Sequence, residues 1–108
     1  MASRVSKLAS AIKENPDDSF SKFALALELL KVDEVQKARR LFENIRHNDP
    51  GYTGVYYHLA KLYVEIGENK KALKTYKEGI AIAEEQNDAH SKSELAEALL
   101  MLELDLEE

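Results

Sequence analysis

Residues 34 positions apart match along the middle of the chain. Leu25 pairs with Leu59, Ala26 with Ala60, Leu29 with Tyr63, Asp33 with Gly67, Ala38 with Ala72 and Phe42 with Tyr76. A fixed period of this length, with two helical stripes in each unit, is the signature of stacked helix pairs, a solenoid in which each unit covers the apolar face of its neighbour. The small residues have a mechanical part in this. Ala26, Ala38, Ala60 and Ala72 let two helix backbones approach closely, while Leu, Phe and Tyr fill the space beside them.

The rest of the chain reads as helix too. Turn-forming residues fall at Asn15-Pro16, Val32-Asp33, Asn48-Asp49-Pro50-Gly51, Gly67-Glu68-Asn69 and Gln86-Asn87-Asp88. Between them, apolar residues recur at helical spacing: Val5, Leu8, Ala9 and Ile12; Val35, Ala38, Leu41, Phe42 and Ile45; Tyr56, Leu59, Ala60 and Tyr63. The same holds for Ala72, Tyr76, Gly79, Ile80 and Ala83, and for Leu95, Leu99, Leu102 and Leu106. No segment alternates as a strand does. The expectation is an all-α fold of about six antiparallel helices. Ser19, Thr53, Asn69 and Asp88, together with Asp33, are the expected N-caps, each with a side-chain oxygen for an orphan N–H of the first turn. Pro16 and Pro50 follow helices that they cannot continue.

These residues resemble the tetratricopeptide repeat family. The likeness is strongest at Tyr56, Leu59-Ala60, Tyr63, Gly67, Ala72 and Tyr76, and extends to Leu25-Ala26, Leu29, Ala38, Phe42 and Asp49-Pro50. Lys22 stands where the family prefers a large apolar residue, and Gly79 where it has alanine. The expected organisation is a single domain over 1–108. An N-terminal half-repeat helix spans 1–18, two repeats span 19–52 and 53–86, and a C-terminal capping helix spans 87–108. The last helix departs from the pattern, because Glu94 and Glu97 fall where core residues of a third repeat are due.

Chemistry is hard to place on this chain. It lacks cysteine, which removes disulfides, thiolate catalysis and Cys-based metal sites. His47, His58 and His90 form no H-x-x-x-H pair, and Gly51 and Gly54 make a turn, not a phosphate loop. The expectation is no enzyme, no cofactor and no metal. A net charge of −5 disfavours nucleic acid and anionic membrane as partners. The Lys70, Lys74 and Lys77 stripe reads as a solvated helix face. The N-terminus has no continuous apolar stretch of the secretory kind, and Leu99-Leu100-Met101-Leu102 is the longest apolar run, so the cytoplasm is the expected setting.

The resemblance implies a protein-binding module, since in this family the first helix of each pair lines a concave groove. On that face lie Phe20, Phe23, Leu27 and Lys31 of one repeat and Tyr57, His58 and Lys61 of the next, with Val64 and Glu65 beyond. Phe20, Phe23, Leu27 and Tyr57 are the expected anchors for a peptide or partner helix, and Lys31, His58 and Lys61 the polar contacts. Phe20 and Phe23 are expected either to be free of packing duty, which rests on Leu25, Leu29, Leu59 and Tyr63, or to be covered by the first and last helices. The clamp with which some members grip acidic tails is missing, since its places hold Phe23, Leu27, His58 and Lys92 and only the last is suitable. The alternative function is self-assembly through Leu100 and Leu104 of the last helix.

Overall fold

The computed structural model describes residues 3–107, and among them the chain forms six α-helices and no strand. They are α1 (Arg4–Glu14), α2 (Ser19–Lys31), α3 (Val35–Asn48), α4 (Gly54–Glu65), α5 (Asn69–Glu85) and α6 (Ala89–Leu106). The chain divides into two compact units, one ending at Tyr52 and the other beginning at Thr53.

In the first unit α2 packs on α1 and on α3. Ala26 of α2 and Ala38, Phe42 and Ile45 of α3 are completely buried. Phe23 joins them through tilted ring contacts, 5.8 Å from Phe42 and 5.5 Å from Tyr52 between centroids. Phe23 therefore belongs to the packing of its own repeat, contrary to the expectation that this packing does not need it. Its neighbour Lys22 is buried, with its ammonium donating to Asn44 Oδ1 at 2.7 Å. In the position that Tyr56 fills one repeat later, a long aliphatic stem lies in the core and its charged end reaches an amide.

In the second unit α5 packs on both α4 and α6. Tyr56, Leu59, Ala60 and Tyr63 of α4 are buried, as are Ala72, Tyr76 and Ala83 of α5 and Leu95 and Leu102 of α6. Gly79 lies where the three helices meet. A Cβ there would stand 2.5 Å from Tyr56 Cβ and 3.0 Å from Leu95 Cδ1.

The turns correct the expected helix starts. After α2 the Asp33 N–H bonds to Leu30 O and the Glu34 N–H reaches back to Leu29 O. After α4, Gly67 and Glu68 bond in the same way to Val64 and Tyr63, and after α5, Asn87 and Asp88 bond to Glu84 and Ala83. This is the Schellman closure, which needs a left-handed residue just past the helix. Asp33 (φ 61°), Gly67 (φ 81°) and Asn87 (φ 57°) supply it. Asp33 thus ends α2 and does not cap α3, whose N-cap is Glu34 without a side-chain capping bond. Asn69 is the first residue of α5, and Glu68 is its cap. Ser19 likewise lies inside α2, where Asp18 accepts from the Ser21 N–H. Thr53 stands at the start of α4 but makes no cap bond; its hydroxyl donates to Gln86 Oε1 at 2.6 Å. Asp88 caps α6 through the Ser91 N–H, as expected.

Candidate partner-binding groove

The second unit carries a groove of about 480 Å³ between α4 and α6. Its apolar surface comes from Tyr57 and Val64 of α4, Tyr76 of α5, and Ala98, Met101 and Leu102 of α6. Its charged residues are Lys61 and Glu65 on α4 and Glu94, Glu97 and Asp105 on α6.

Helix geometry explains the placing. Leu95 and Leu102 are the buried residues of α6. Glu94, Ala98, Met101 and Asp105 recur at helical spacing beside that stripe, so burying the leucines turns this second stripe toward α4. Across from it, Tyr57, Lys61 and Val64 lie one turn apart on α4 and flank the buried Tyr56, Leu59 and Tyr63. The Tyr57 ring stands edge-on to Tyr76 at 6.5 Å and to His58 at 5.5 Å. That fixes a half-buried aromatic side chain by its neighbours and leaves one side toward the groove.

The titrating groups are set by the same packing. Burial pushes the His58 imidazole below its ordinary value, the Lys61 ammonium adds to this, and the Glu94 carboxylate opposes it. The net effect favours the neutral imidazole. Burial, with the Tyr57 hydroxyl nearby, raises the Tyr76 phenol.

Of the seven residues expected at a binding face, Tyr57 and Lys61 line this groove, and His58 lies beside Tyr57. Phe20, Phe23, Leu27 and Lys31 belong to α2 of the first unit. There Phe20 is 64% exposed and Leu27 half-buried, and Phe23 is held by Phe42 and Tyr52. The Lys31 ammonium is 3.1 Å from Glu28, which also takes Arg4 at 2.7 Å. These ion pairs, with Lys31 donating, hold the Glu28 carboxyl below the usual range.

The α6 wall of the groove was not among the expected residues. The signal for it is in the sequence. Asp88 and Ser91 repeat the Asp18 and Ser21 cap, and Leu95, Ala96 and Leu99 follow Asp88 at the distances at which Leu25, Ala26 and Leu29 follow Asp18. Helix α6 so carries the pattern of a first helix, displaced by two residues from the strict period.

The family model for the tetratricopeptide repeat matches residues 29–98. Among curated proteins, a TPR repeat-containing protein of Bacillus subtilis, YpiA, is 37% identical over 70 residues, 65% of this chain and 16% of its own length. A serine/threonine-protein phosphatase T of Trypanosoma brucei brucei is 37% identical over 46 residues, 43% of this chain and 10% of the enzyme. The chain thus spans only a small part of these relatives. Among solved structures, a tetratricopeptide repeat domain protein of Salinibacter ruber is 43% identical with a TM-score of 0.79, over 82% of this chain and 90% of that one. A Bordetella parapertussis protein shares the fold at 20% identity, with a TM-score of 0.80 over 97% of this chain and 91% of that one.

Proposed function

Since the chain belongs to the tetratricopeptide repeat family, whose domains generally serve as non-enzymatic scaffolds for protein partners, we propose that it binds a segment of another protein in the groove between α4 and α6. The observation that carries this is apolar surface left open where the groove is. Met101 is 55% and Val64 36% exposed beside the half-buried Tyr57 ring. Such side chains gain about 25 cal/mol for each Å² of apolar area that a partner covers. Phe20 and Leu27, with Lys31, are proposed as further contacts on the first unit, and His58 and Lys61 as polar contacts on the second. No helix among the described residues is long and apolar enough to cross a membrane, and a cytoplasmic setting is part of this proposal. The test is partner capture by the wild-type chain and by Tyr57→Ser with Met101→Ser. Loss of capture with an unchanged unfolding curve supports the groove; equal capture by both chains refutes it.

Self-assembly is the second reading, favoured by Leu100 and Leu104 of α6. They are 55% and 48% exposed and do not line the groove. Sedimentation velocity tests it. A dimer that Leu100→Glu with Leu104→Glu converts to monomer supports self-assembly, and a monomer at high concentration excludes it.

A further inference from the structure

The groove combines an apolar floor with a one-sided set of charges, and this points to the chemistry of its occupant. Four carboxylates, on Glu65, Glu94, Glu97 and Asp105, line it against one ammonium, on Lys61. The carboxylates come from both walls and stand beside Tyr57, Val64 and Met101. We infer that the groove takes a cationic peptide segment, one bulky apolar side chain flanked by lysine or arginine. The inference rests on the groove reading above and narrows it.

Screening at physiological salt acts over about 8 Å, so charges within one cleft add, and its low-dielectric walls focus their field. The exposed side chains are hydrated when the groove is empty, so each alone is worth little. A bound segment displaces that water, and unlike charges on it relieve the repulsion between the carboxylates. An acidic segment is repelled by the same four carboxylates. One local ion pair leaves the balance in place. Glu94 meets His90 at 3.8 Å on an exposed edge, an interaction that counts only when the imidazole is protonated. Burial disfavours the charged form of His58. The lysines of α5, Lys70, Lys74 and Lys77, line a different surface. The Tyr57 ring adds a face on which a guanidinium or ammonium stacks.

The experiment is selection of a phage-displayed library of random dodecapeptides on the full chain, followed by affinity measurement on synthetic copies of the enriched sequences. The expected pool is rich in lysine and arginine next to Leu, Met or aromatic residues. Its peptides are expected to bind roughly three- to tenfold more weakly to Glu94→Gln with Glu97→Gln, and to weaken further as salt rises. The carboxamide variant keeps side-chain shape at exposed positions, so its unfolding curve is expected to match the parent. Neutral or acidic peptides whose binding is lost in Met101→Ser overturn the charge inference and leave the groove standing. Peptides indifferent to both Tyr57→Ser and Met101→Ser, or no enrichment at all, overturn the groove and the inference together.

Discussion

Two glycines of the second unit are required for opposite reasons. Gly67 has open space around its missing side chain but a φ of 81°. Alanine there meets no neighbour and is still expected to lose about 1–2 kcal/mol, the cost of a left-handed conformation. Gly79 has ordinary helical backbone and no space, because its Cβ would stand 2.5 Å from Tyr56 Cβ. Alanine gains about 1 kcal/mol of helix propensity and loses about 1–3 kcal/mol to overpacking. The obstructing atom is fixed to the α4 backbone and cannot swing aside, so the loss prevails. Urea unfolding of the two variants checks both, and a stabilised Gly79→Ala would contradict the three-helix junction.

At the scale of elements, the two caps of the same type decide an acid response. The Ser21 hydroxyl and backbone N–H hold the Asp18 carboxyl below its ordinary value of 3.8. Ser91 does the same for Asp88. A group whose folded pKa is depressed contributes stability above its unfolded value and loses it as pH falls toward the folded one. Asp18→Asn and Asp88→Asn are therefore expected to lower the thermal midpoint at neutral pH. The gap to the parent should narrow below pH 3.8, as the parent's carboxyls protonate. Midpoints measured across that range decide it; a gap independent of pH would show that the cap charge has no part. The ties from Ser19 to Asp49 and from Thr53 to Gln86 begin at equivalent residues and end at different ones. The reason is length: α5 has 17 residues where α3 has 14.

For the whole molecule, stability and binding should separate between residues that look alike in sequence. Phe23 and Tyr57 occupy the same repeat position. Phe23 is packed between Phe42 and Tyr52, so Phe23→Ser is expected to cost about 2–4 kcal/mol through the cavity it leaves. Met101 is 55% exposed, so Met101→Ser is expected to stay within about 0.5 kcal/mol of the parent. Denaturant curves of the two variants, beside their partner binding, measure the separation. If Phe23→Ser unfolds like the parent, the ring cluster of the first unit is not structural.

Local physics made most of the fold legible. Helical spacing and the recurrence of Leu-Ala pairs identify the helices and the repeat, because both depend only on which side of a helix is apolar. Turn chemistry was half legible: Asp33 and Asn87 were visible as breakers, but Asp and Asn serve equally as N-caps and as left-handed helix ends. Only the backbone bonds formed at the helix end, Glu34 N–H to Leu29 O and Asp88 N–H to Ala83 O, tell which. The groove depended on tertiary structure most. Tyr57 and Lys61 stood out on their own helix, whereas Glu94, Glu97 and Met101 become a wall only when burial of Leu95 and Leu102 sets the rotation of α6. A displacement of two residues from the repeat turns a helix by about half a revolution. Side-chain packing settles that rotation, and packing is a property of the assembled chain.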